Sequence, residues 1–315
     1  MVSFRGKLFR FFLRRTNNLN PVKTPRAVKK VEKLSKFWLG DSTPRGFVMT
    51  KEQTPKGTAF QRVVKKGATK NGRVLLYLHG GAYIGGLLSF YRKFAPTFHK
   101  ATEGAEIIFL DYHCAPQYTY PTQLNEALDL WEDLTSRQGY RSEDIVVGGD
   151  SAGANLTLAL LLKLRDTGER MPCGGFCISA WADMEGTGKS FTENYPKDIM
   201  FGEKGKPLTE EKRERLRDCE LFSFIGDADR YDPYVSPVYG EYHNFPPMFF
   251  TVGGDEMLLD DTMRIVEKLE KQGVSAQYDL QEGMFHIYVL YCKFVPEAKK
   301  SFNKLLAFIN ERYKA

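Results

Sequence analysis

Cysteine is sparse in this chain of 315 residues: there are five, an odd number, scattered from Cys114 to Cys292. That is a poor disulfide framework for a protein this large, so a reduced, cytoplasmic protein is expected. Cys173 and Cys177 are four apart, but no second cysteine or histidine pair follows at zinc spacing. Neither a metal nor a cofactor is expected. No uncharged apolar stretch approaches the ~20 residues of a membrane span, and the N-terminal segment lacks the ~7-residue apolar core of a signal peptide. Repeats and low-complexity tracts are also lacking. Hydrophobic residues at 42% and charged residues at 27% sit near globular averages, which argues against disorder and coiled coil.

Acidic residues are nearly missing from residues 1–45, where twelve Lys or Arg stand against Glu32 and Asp41 alone. The arm therefore carries +10 of a net charge of +6, leaving −4 for the remainder. Phe4 to Leu13 interleaves Arg and Lys with large apolar residues, and Ala27 to Leu39 has the spacing of an amphipathic helix, with Asn17 to Pro25 as a linker between them. The arm is expected to form cap helices over a catalytic domain at 46–315, with peripheral contact to anionic lipid as the competing role. Nucleic acid is not an expected partner, because no binding module accompanies the charge.

After Gly57, short apolar runs alternate with helical stretches. The runs are Val74 to Leu78, Ile107 to Leu110, Ile145 to Val147, Phe176 to Ser179, Met248 to Val252 and Ala276 to Leu280. Strands buried on both faces read as continuous apolar runs, and strand-helix alternation implies right-handed crossovers and a mostly parallel central sheet flanked by helices. The alternation stops between Gly186 and Pro233, with an insertion near 186–225 in which Thr209 to Leu221 reads as a solvated helix capped by Thr209. An insertion after a strand of such a sheet hangs over the carboxyl ends of the strands, where ligands bind.

Directly after the Ile145 run stands Gly149-Asp150-Ser151-Ala152-Gly153, followed by an apolar helix. This resembles the nucleophile turn of α/β-hydrolases, a fold whose triad runs serine, acid, histidine. The glycines fit a turn too tight for flanking side chains, and the dipoles of the following helix favour negative charge developing on Ser151. His79-Gly80-Gly81-Ala82-Tyr83 follows the Val74 run, and its Gly-Gly backbone can approach a developing oxyanion. Gly80, Gly81 and Ala152 are the candidate donors. His286 follows the last apolar run and completes the order as base, in a loop suited to an exposed imidazole. Asp255, after Met248 to Val252 and a Gly-Gly pair, is the first choice of acid and Asp232 the second. His79 reads as structural, and Tyr83, Trp181 and Phe285 as core or substrate-pocket wall.

The motifs HGGAY (79–83), DYHCAP (111–116), GDSAGANL (149–156), DPYVSP (232–237), GGDEMLLDD (253–261) and GMFH (283–286) stand in the order of the hormone-sensitive lipase family of esterases, which residues 72–310 resemble. The resemblance implies Ser151, Asp255 and His286 as triad, an oxyanion hole at Gly80, Gly81 and Ala152, and a cap built from the N-terminal helices and the 186–225 insertion. It implies hydrolysis of a small, short-acyl carboxylic ester. Amide hydrolysis, as in arylformamidases, uses the same triad, and a ligand receptor of the same fold lacks the histidine that His286 supplies here. Ala82 stands where the family usually has a third glycine, Gln117 where it has glutamate, and the arm before residue 45 matches little.

Overall fold

Burial on both faces turns five of the six apolar runs into adjacent parallel strands, and the sixth, Ala276–Gln281, adds a parallel edge strand to the same eight-stranded sheet. The computed structural model describes residues 2–16, 20 and 42–314. The strands are β1 (Phe47–Gln53), β2 (Ala59–Lys65), β3 (Val74–Leu78), β4 (Glu106–Leu110), β5 (Ile145–Asp150), β6 (Gly174–Ile178), β7 (Met248–Gly253) and β8 (Ala276–Gln281), in the order β1-β2-β4-β3-β5-β6-β7-β8. β4 is joined antiparallel by β2, and β2 antiparallel by β1, so that β2 alone opposes the other strands and β1 and β2 complete the sheet. These two strands lie outside the expected set. Exposed positions recur along β1, an edge strand with no continuous apolar run to betray it.

The period of two decides which side chains face which layer. In β3, Leu75 and Tyr77 pack with Phe94, with Phe98 of α2 (Ala95–Ala101) and with Phe302, Leu305 and Phe308 of the C-terminal helix. Val74, Leu76 and Leu78 face the other way, onto Leu124, Ala127, Leu156 and Leu160. These belong to α3 (Thr122–Glu132) and α4 (Ala152–Asp166). Helix α7 (Leu259–Lys271) joins α4 through Ile265, Val266 and Leu269.

The 186–225 segment forms α5 (Lys189–Glu193), α6 (Glu210–Arg217) and a 3₁₀ turn at Glu220–Ile225. The Thr209 hydroxyl caps α6 by accepting from the Lys212 N–H at 3.4 Å. The helix stops at Arg217, short of the expected Leu221. Of the arm, α1 (Phe4–Thr16) is described; the Ala27 to Leu39 expectation lies outside the described residues. Helix α1 docks on the C-terminal quarter: Ser3 bonds Glu297, and Phe9 packs between Phe285, Tyr291 and Phe294 near α8 (Pro296–Arg312). No helix among the described residues is long and apolar enough to cross a membrane.

Candidate active site

Ser151 stands between β5 and α4 with φ 54° and ψ −117°, a conformation an L-residue adopts only when its surroundings impose it. Two constraints do so here. Its N–H donates to the Ile178 carbonyl at the end of β6 at 2.9 Å, and a Cβ at Gly149 or Gly153 would overlap the Leu78 carbonyl oxygen of β3. The turn is thereby wedged against two neighbouring strands, and the hydroxyl projects over the sheet edge.

There it meets His286, whose Nε2 lies 2.9 Å from Ser151 Oγ. His286 Nδ1 lies 2.9 Å from Oε2 of Glu256. A carboxylate at Nδ1 holds the ring proton on that nitrogen and leaves Nε2 to accept from the serine. The imidazole is only 2% exposed and the carboxylate 0%, so the ring is not the exposed one expected; it is clamped from below, with Phe201 edge-on at 5.1 Å.

The structure therefore places Glu256, not Asp255, beneath the histidine. Asp255 turns outward from the Gly253-Gly254 turn to receive Arg10 of α1, which also donates to the Gly283 carbonyl. Asp232, the second choice, accepts from Tyr120 and from the Tyr234 N–H, away from the histidine. Glu256 is fixed by two further donors, the Ser179 hydroxyl at 2.7 Å and the Gly253 N–H at 2.5 Å. The Ser179 oxygen in turn accepts from the Ile287 N–H at 2.9 Å. Ser179 thus ties the acid to the residue after the base. Ser151, Ser179 and Ile287 all have left-handed φ near 50°, so backbone strain gathers where the three loops meet.

The oxyanion loop also differs from expectation at one position. The Gly80 N–H is already engaged, donating at 3.1 Å to both Asp150 and the Tyr91 hydroxyl, so it is not a free donor. The N–H groups of Gly81, Ala82 and Ala152 have no acceptor among the described residues. Ala82 reaches φ 53°, the region a glycine would occupy more easily. His79 lies fully buried below, stacked on Tyr112 at 4.1 Å with Nδ1 2.8 Å from the Gly80 carbonyl. Burial lowers its pKa, so it stays neutral.

Asp150 accepts from Tyr77, Tyr91 and Gly80, tying the nucleophile turn to the oxyanion loop. Burial nevertheless pushes its carboxyl up to about 6. The folded protein then holds this proton more tightly than the unfolded chain does. Its contribution to stability is fully present below pH ~4 and is lost as pH rises through about 6, an effect of up to about 3 kcal/mol. Asp150→Asn removes this titration, so the stability gap between variant and parent is expected to narrow between pH 4.5 and 7. Urea unfolding at the two pH values measures it; a gap that is constant or widens contradicts the assignment.

Above Ser151 opens an apolar cleft of about 530 Å³, part of it open to solvent. Trp181, as expected, lines it, with Phe191, Phe201, Leu216 and Phe222 from the insertion and Met257 from the acid loop. The two other expected wall residues are core. Tyr83 is buried with its hydroxyl on Asn155 and its ring stacked on Phe224, and Phe285 is buried beneath Phe9. Cap and acid loop are joined by buried Asp198, which accepts from the N–H groups of Met200, Phe201 and Met257. Helix α1 lines no part of the cleft.

Comparison with known proteins agrees with this geometry. Residues 75–290 match a family model described as alpha/beta hydrolase fold. An esterase of Acinetobacter venetianus is 31% identical over 236 residues, 75% of this chain and 74% of that protein. An acetyl-hydrolase of Streptomyces hygroscopicus is 30% identical over 242 residues, 77% of each. Among solved structures, an esterase/lipase from an uncultured bacterium superposes with a TM-score of 0.84 at 26% identity, covering 99% of this chain and 100% of that one. An esterase from the bacterial hormone-sensitive lipase family superposes at 0.83 with 27% identity, covering 99% of both.

Proposed function

The chain belongs to the α/β-hydrolase fold family, within its hormone-sensitive lipase esterases, and on that premise we propose that it cleaves short-acyl carboxylic esters through an acyl-enzyme on Ser151, with His286 as base and Glu256 as acid. It is a carboxylic ester hydrolase. The observation that best supports the mechanism is the Ser151–His286 contact of 2.9 Å on the floor of an apolar cleft.

In this reading His286 Nε2 takes the hydroxyl proton as Ser151 Oγ attacks the ester carbonyl, and Glu256 stabilises the imidazolium that results. The N–H groups of Gly81, Ala82 and Ala152 receive the negative oxygen of the tetrahedral intermediate. Collapse expels the alcohol with the proton from Nε2. Water, deprotonated by the same nitrogen, then releases the acid and restores the serine.

The short-acyl preference is supported by the acetyl-hydrolase relative and by the aromatic walls that close over Ser151. Rates across p-nitrophenyl esters of increasing chain length, with an aryl formamide alongside, test it. The expected profile peaks at the shortest acyl groups; a formamide turned over faster than every ester makes the chain an amidase instead. Phe222→Ala should move the optimum to longer chains, because one methylene in an apolar pocket is worth ~1–3 kcal/mol. An unchanged profile would place the acyl group elsewhere.

A further inference from the structure

Helix α1 is amphipathic in an uncommon sense. Its inner face carries Gly6, Phe9, Arg10 and Leu13 onto the protein, yet its outer face is not polar. Phe4, Leu8, Phe11 and Phe12 are 79%, 53%, 54% and 65% exposed. Arg5, Lys7 and Arg15 share that outer face, and the helix contains no carboxylate. Arg15 lies over the Phe11 ring at 4.1 Å, so cation and aromatic are presented together. The surface extends beyond the helix to Phe294, 62% exposed and stacked on Phe9, with Lys293 exposed beside it.

We propose that this outer face of α1 is a docking surface for an anionic lipid bilayer. Large apolar side chains on a short helix, flanked by cations alone, are what lets a helix lie in the headgroup boundary: rings enter the acyl region and the cations meet lipid phosphates. A nucleic acid would be met by the cations but would leave four large apolar side chains in water. The net charge of −4 over residues 46–315 makes the attraction local and orienting rather than diffuse. The inner face of the same helix grips Asp255 and Gly283, which lie just past the carboxyl ends of β7 and β8. A bilayer bound by α1 therefore lies at the sheet edge that carries the site. This inference does not depend on the esterase reading, since its readout is binding.

The test is co-sedimentation of the full chain with phosphatidylcholine vesicles, with and without phosphatidylserine, at low and high salt. Binding is expected to be at least ~10-fold stronger with phosphatidylserine at low salt and to fall steeply at high salt. A Phe4→Ser, Leu8→Ser, Phe11→Ser, Phe12→Ser variant and an Arg5→Gln, Lys7→Gln, Arg15→Gln variant should each lose ~10-fold or more of that binding. Both should keep their melting temperature and hydrolyse a water-soluble acetate ester within ~2-fold of the parent, as surface substitutions do. No binding to phosphatidylserine vesicles at low salt overturns the proposal, as does undiminished binding by either variant. A variant that melts several degrees lower, or a parent that dimerises where the apolar variant does not, assigns the face to the chain itself or to a second copy and equally overturns it.

Discussion

Ser151→Ala is expected to lower kcat by ~10⁴- to 10⁶-fold, the range found when a triad serine is removed, and to leave a folded protein. The fold should survive because what holds the turn is not the hydroxyl. Gly149 and Gly153 pack against the Leu78 carbonyl, and the residue 151 N–H bonds to Ile178; alanine keeps both constraints and carries no greater strain at φ 54° than serine does. A fluorophosphonate probe should label the parent at Ser151 and the variant nowhere. Labelling that persists in a folded variant would move the nucleophile elsewhere and sink the mechanism.

Glu256→Gln is expected to cost ~10³- to 10⁴-fold in kcat with little change in KM, since the amide favours the wrong tautomer of His286 without touching substrate. The neighbouring carboxylate should behave differently. Asp255→Asn removes only the contact to Arg10 and should cost less than ~10-fold, as should Arg10→Met. If Arg10 steadies the acid and base loops through Asp255, the double variant should be no worse than the poorer single, because residues sharing one interaction do not add. Kinetics of the four proteins decide it. A loss for Asp255→Asn as large as that for Glu256→Gln returns the acid role to Asp255, and additive losses separate Arg10 from Asp255.

Most of the parallel sheet was legible because burial on both faces writes itself as apolar runs: β3 to β7 are buried throughout, and β8, an edge strand, lies on the weakest of the expected segments. β1 and β2 were not: β1 is an exposed edge, and β2, though buried over 60–63, carries Gln61 and Arg62 where an apolar run would stand. Within the site, the strand-turn-helix setting of Ser151 and the order of the motifs pointed to the right loops. Which of two adjacent carboxylates in GGDEMLLDD turns inward depends on the backbone direction after Gly254, and no side-chain pattern records that. The signal available was weaker: the fold's acid can be glutamate as readily as aspartate. Similarly, Gly80 looked free because its captor, Asp150, lies 70 residues away in sequence. Ser179 was invisible for the same reason, its partners being Glu256 and Ile287.

The docking of α1 also has a consequence for how the chain is made. Arg10 and its acceptor at Gly283 are 273 residues apart, and Phe9 rests on Phe285 and Tyr291. At a synthesis rate of ~5–20 residues per second, the first helix emerges roughly a quarter of a minute to a minute before the Gly283 loop and the aromatic seat of Phe9 exist. During that interval Phe9 lacks the rings of Phe285, Tyr291 and Phe294 that cover it in the folded protein, and the C-terminal quarter must be complete before they can. Until then the nascent chain carries a basic, aromatic helix whose apolar seat has not been made, the kind of segment that chaperones capture and that nucleates aggregation when they do not.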